Sequence, residues 1–194
     1  MGNVGLRNPK ASKGQSLIEL TLILPVLLLL ALGVIDFARA IQFNNILVSM
    51  SREGANLASR TSYTPQSIIA VLNNTAGPMV MGTNGMMYIT RIMGRKTIPA
   101  CVDNPPTYCQ VDAKVQAQSR ASPGDTSLQS RVWAGCTHWS GGNCVLPHTP
   151  PTANLPMTLM DGEEVYAVEA LYNYNVIVRY VMRTDPKLYS LTVL

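Results

Sequence analysis

KGQSLIELTLILPVLLLLALGVIDFARA, residues 13–40, decides how the rest of the chain is read. From Leu20 to Ile35 there are 16 residues without a charge, and from Gln15 to Ile35 there are 21 with only Glu19 charged. About 20 helical residues, rising about 1.5 Å each, span the ~30 Å hydrocarbon core of a bilayer. The stretch therefore predicts a membrane-spanning helix with a carboxylate inside its first turn, where it is unfavourable unless something offsets it. Pro25 removes one helix hydrogen bond, to the carbonyl of Thr21. Such prolines are tolerated in membrane helices, so at most a kink is expected.

Charge and composition support this reading. Apolar residues make up 47% of the 194 and charged residues 13%, about half the ~25% of a typical soluble chain. The net charge is +4, but Arg7, Lys10 and Lys13 precede Gly14 with no acid among them. Beyond Gly14 the twelve remaining bases face eleven acids, close to neutrality. The basic excess thus belongs to the N-terminal tail and gives no case for a nucleic-acid surface. Basic residues ahead of the apolar run place the N-terminus in the cytoplasm and the rest of the chain outside.

Three readings of the segment compete. As a removable secretory signal it offers Ala38-Arg39-Ala40, a small-x-small cleavage form, but the run exceeds the usual 7–15 or so residues, and Asp36 and Arg39 crowd the site. As an uncleaved signal anchor it makes Glu19 a helix-dipole residue worth at most about 1 kcal/mol. As a substrate cut between Gly14 and Gln15, it makes Glu19 the fifth residue of the mature chain. A glycine before the cut leaves an extended backbone unobstructed.

The third reading accounts for the most residues. A short basic leader, a glycine, and a long apolar helix with glutamate at its fifth position resemble the type IV pilin signal. Residues 14–40, followed by SREGANLASR (Ser51–Arg60), resemble the N-terminal region of TadE-like proteins, the minor pseudopilins of tight-adherence (Flp) pilus systems. Four sub-motifs occur in order: the Gly-Gln start with its glutamate, Leu-Pro-aliphatic, Ile-Asp-Phe-x-Arg-Ala, and Arg-Glu-Gly-Ala. The resemblance covers about a quarter of the chain. It implies a structural subunit, not an enzyme, cleaved by a prepilin peptidase at Gly14/Gln15. In assembly, Glu19 of one subunit would pair with the N-terminal amine of a neighbour, offsetting the cost of a carboxylate in the membrane, roughly 2.5–3.5 kcal/mol at mid-bilayer and less near its edge. The implied partners are the prepilin peptidase, other pilins and pseudopilins, the inner-membrane assembly platform and the lipid bilayer. The implied location is the inner membrane, single-pass, with the head extracytoplasmic or carried into the pilus. The alternative is an uncleaved, signal-anchored extracytoplasmic binding module.

Past Asp36, apolar residues including Ile41, Phe43, Ile46, Leu47, Met50 and Leu57 recur at helical spacings. With no proline between Pro25 and Pro65, one helix over 15–60 is expected, its outer half packed on a head of residues 61–194. Thr64-Pro65 reads as an N-cap and first helical position, opening a short helix through Leu72. MMYITRIM (Met86–Met93) reads as a strand. From Val165 to Met182 the even positions are all apolar or aromatic, and the odd ones hold Glu169, Asn173, Asn175 and Arg179. That predicts strand with one buried and one wet face, bent near Asn173–Asn175. The expected class is α+β: a long N-terminal helix, a small antiparallel sheet, and a loop-rich insert over 98–161 with helical periodicity at most over Val111–Gln118.

The insert holds Cys101, Cys109, Cys136 and Cys144, two pairs with equal spacing. Outside the cytoplasm, local bridges Cys101–Cys109 and Cys136–Cys144 are the simplest of three connectivities. A metal reading competes: Cys136, His138, Cys144 and His148 suit zinc chemically, but their spacing fits no standard finger and leaves the first pair unexplained. No metal or other cofactor is expected. No G-x-S-x-G, H-E-x-x-H or phosphate-loop motif is present.

Overall fold

With no proline or glycine cluster to stop it after Pro25, the N-terminal segment forms one helix, α1, Gln15–Arg60, of 46 residues, about 69 Å long at ~1.5 Å per residue. The computed structural model of the protein describes residues 15–98, 101–103, 108–177 and 185–194. The leader reading of 1–14 lies outside these residues, as does the continuation of the alternating pattern over 178–182.

α2, Pro65–Thr75, starts where its cap chemistry dictates: the Thr64 hydroxyl accepts from the Ser67 amide at 3.3 Å, with Pro65 at the first position. Its buried face is Ile68, Ile69 and Leu72. A single turn, α3 (Met81–Asn84), leads into β1, Gly85–Lys96. The remaining strands are β2 (Val111–Arg120), β3 (Trp139–Ser140), β4 (Asn143–Cys144), β5 (Glu164–Asn173) and β6 (Lys187–Val193). They form one antiparallel sheet in the order β3-β4-β2-β1-β5-β6. The class is α+β, as the residue patterns lead one to expect.

Two expectations are corrected. Val111–Arg120 is not helical; it is β2, paired along β1 from Tyr88↔Arg120 to Lys96↔Val111. Its small apolar residues Val111, Ala113, Val115 and Ala117 alternate with polar ones, a period-two pattern muted by the small size of alanine. Arg91 faces Ala117 and Ile92 faces Val115, so Gln116 is the extra residue of a bulge. The insert therefore supplies a strand next to the centre of the sheet.

The second correction concerns β5, which has no wet face. Its even side (Val168, Ala170, Tyr172) packs into the main core with Phe43, Leu47, Met50 and Ala55 of α1 and the apolar face of α2. Its odd side is roofed by the insert: Val165 and Ala167 join Ile92, Val115, Val132, Ala153 and Leu159 in a second core. Glu169, on that side, is fully buried. The backbone of the roof satisfies it: the Arg131 and Val132 amides donate to Oε1 at 2.7 and 3.2 Å, the Tyr189 hydroxyl donates at 3.1 Å, and the Ser130 hydroxyl donates to Oε2. The fold is thus helices, sheet and irregular roof in three layers.

Candidate assembly and docking site

α1 changes character along its length. Over residues 17–35 every side chain is exposed, including Leu22 at 69% and Leu29 at 54%. Nothing in its most apolar window, mean hydropathy 2.7, is buried within the protein. α1 is the one helix among the described residues long and apolar enough to cross a membrane. Burying so much apolar surface elsewhere is strongly favoured, at roughly 25 cal/mol per Å². Glu19 stands exposed in the lower part of this surface. It lies past the first turn of α1, which holds no acid, so the reading of Glu19 as a first-turn dipole residue is corrected. Thr21 satisfies its hydroxyl on the Ile18 carbonyl at 2.8 Å. Gly14 lies outside the described residues.

At Asp36 the helix meets the head. Asp36 is 8% exposed. The Tyr174 hydroxyl lies 2.9 Å from its Oδ1 and 3.0 Å from its carbonyl oxygen, and the Ile177 amide donates to its two carboxylate oxygens at 2.9 and 3.1 Å. Burial, then the hydrogen bond to Asp36 and its charge, push the Tyr174 hydroxyl above its usual pKa, against the opposing pull of Arg39. The phenol therefore stays protonated and able to donate. About two turns further on, Phe43 makes edge-to-face contacts with Tyr172 and Tyr174, centroids 5.5 and 5.4 Å apart.

Higher up, small residues bring α1 onto the sheet. The Ser51 hydroxyl lies 2.8 Å from that of Ser190 and 3.0 Å from that of Thr192, both on β6. A Cβ on Gly54 would meet Val168 Cγ1 at 3.0 Å and Leu72 Cδ1 at 3.1 Å, so the helix approaches as closely as a glycine permits. Away from the sheet an open groove of about 570 Å³ runs along α1, lined by Ala38, Ile41, Asn45, Ser49, Glu53 and Thr75 among others.

With this geometry in view, residues 14–56 match the family model described as TadE-like protein. The N-terminal region of this chain is TadE-like. The match spans both halves of α1: the exposed apolar run and the docking segment through Asp36, Phe43, Ser51 and Gly54. No curated protein and no solved structure gives a significant match.

Of the residues singled out by sequence, the structure bridges Cys101 to Cys109 and Cys136 to Cys144, with Cα atoms 5.9 and 6.0 Å apart. The bridged sulfurs leave no thiolates for a Cys136/His138/Cys144/His148 metal site. Sequence reading missed the clamp between Asp36, Tyr174 and Ile177. Its one available signal was an acid directly after a membrane-length run, where a carboxylate needs donors. The close helix approach was also signalled, by Ser51, Gly54 and Ala55 at helical spacing.

Proposed function

We propose that this TadE-like chain is a minor pseudopilin: a structural subunit in the assembly or initiation of a tight-adherence pilus at the inner membrane. In this reading residues 1–14 are a leader removed by a prepilin peptidase after Gly14, 15–60 form the anchor and docking helix, and 61–194 form an extracytoplasmic head. The observation that carries it is the fully exposed run of residues 17–35 with one acid, Glu19, inside the TadE-like segment. A helix so exposed is suited to lipid before assembly and to neighbouring helices after it, where helix contacts depend on packing and polar pairs. Glu19 would accept from the new amine of Gln15 on an adjacent subunit, and the groove along Ala38 to Glu53 offers room for a neighbouring pilin or pseudopilin above the membrane.

N-terminal sequencing of protein from cells with active prepilin peptidase tests the reading: the mature chain should begin at Gln15. A start at Ile41, or an intact Met1 chain, would sink it. Glu19→Ala should leave the protein in the membrane, because insertion becomes easier, yet abolish or sharply reduce piliation and cross-linking to the assembly platform. Unchanged piliation would return Glu19 to a passive role.

A further inference from the structure

The docking of α1 also fixes how high the head stands above a bilayer. α1 and β5 run antiparallel: Phe43 meets Tyr172 and Tyr174, while Gly54, further up the helix, meets Val168. β1 is antiparallel to β5 and so climbs alongside α1. The upper end of β1, with Met160 and Gly162 packed at Gly94, therefore lies at the end of the sheet directed away from the apolar run. The opposite end, residues 174–177, is tied to Asp36.

We infer that this lower edge, at Ile177, sits in the headgroup layer of the bilayer, so that the head rests on the membrane instead of standing above it. The 21 residues from Gln15 to Ile35 span about 31 Å at ~1.5 Å each, which fills a hydrocarbon core of about 30 Å. Asp36 is then the first residue in the headgroup layer, and the Ile177 amide is within 3.1 Å of its carboxylate. The surface there suits such a layer. Ile177 is 50% exposed, and Phe37 and Ile41, 67% and 47% exposed, carry the apolar surface of the run past Asp36. Of the other described charges at this end, Lys187 lies close enough to Asp125 to lower its pKa, and Arg39 stacks over Phe43 at 5.8 Å. Among the described residues the attraction comes from apolar burial, which does not require acidic lipid. The inference requires α1 to cross a bilayer; it does not depend on cleavage at Gly14 or on piliation.

All four native cysteines are bridged, so one introduced thiol can carry an environment-sensitive fluorophore. The full chain would be placed in zwitterionic vesicles at high lipid-to-protein ratio, labelled in turn at Leu27→Cys, Ile177→Cys and Met160→Cys. The Ile177 probe should lose most of its emission to a quencher on the lipid headgroup, the Leu27 probe to one deep in the acyl chains, and the Met160 probe only to a water-soluble quencher. An Ile177 probe that answers only to the water-soluble quencher overturns the inference even when Leu27 reports a spanning helix. A Leu27 probe open to water overturns the spanning helix itself, and the inference with it. Shielding of Ile177 from both quenchers that grows with protein density would assign the edge to a neighbouring copy and overturn the lipid contact.

Discussion

Glu169 shows how one side chain organises a surface that has no regular structure. It emerges from the centre of the sheet into the roof of 121–160, and its carboxylate collects two backbone amides and two hydroxyls. Replacing it by alanine would leave those donors buried without an acceptor, at about 1–3 kcal/mol for each that water cannot reach. We expect Glu169→Ala to destabilise the head by about 3–5 kcal/mol, with Glu169→Gln losing less because one amide oxygen still accepts. Chemical denaturation in detergent would measure this; a loss under about 0.5 kcal/mol, typical of a surface site, would show that the roof does not depend on the carboxylate. Asp36 performs the corresponding task for α1, holding the 174–177 segment where Glu169 holds 130–132.

At the scale of elements, the β3–β4 hairpin depends most on its crosslink. It pairs with β2 at Ser119↔Asn143, aided by the Ser119 hydroxyl on Asn143 at 2.7 Å, the Arg120 amide on the Gly142 carbonyl at 2.8 Å, and the Arg120 guanidinium 4.3 Å over the Trp139 ring. Opening Cys136–Cys144 with serines should cost about 2–3 kcal/mol and speed hydrogen exchange at 136–145 and at the Arg120 amide, while β1 and β5 keep their protection. Equal loosening of β1 would mean that the hairpin and the sheet centre unfold as one unit. The insert was the least legible part of the sequence. α1 declares itself through length and hydropathy, α2 through Thr64-Pro65, and β1 and β5 through apolar runs between glycines or acids. β2 hides because its inward residues are mostly small, and β6 because its Leu188-Tyr189-Ser190-Leu191-Thr192-Val193 run mixes apolar and hydroxyl residues on both faces. Glu169 was misread because alternation along a strand reports polarity, and a carboxylate supplied with enough donors can be buried. Glu19 and the Gly14-Gln15 step were legible as motif; the pairing and cleavage proposed for them would involve other molecules and so leave no mark on the single chain.

The molecule as a whole carries tyrosines that make it sensitive to alkali. Burial is the first cause that raises the pKa of Tyr88, Tyr174 and Tyr189, with the Glu169 carboxylate adding to Tyr88 and Tyr189 and Asp36 to Tyr174. A phenol whose pKa is raised by folding contributes stability in full below its unfolded value near 10, and that contribution is lost as pH rises through the folded value. Stability in detergent should therefore fall steeply above about pH 10. Tyr189→Phe should flatten the slope by up to about 1.4 kcal/mol per pH unit, one proton's worth; an unchanged slope would show that Tyr189 ionises as freely in the folded head as in the unfolded chain. The seating of α1 lengthwise on β5 and β6 has a mechanical consequence. Tension transmitted along α1 runs parallel to the seam formed by Asp36 with Tyr174, Phe43 with Tyr172, and Ser51 with Ser190. Such a load shears these contacts together instead of peeling them one after another, so rupture requires crossing one high barrier, and the lifetime under force follows the unfolding rate. A chain seated this way can pass a pull from its head to its helix without the two coming apart.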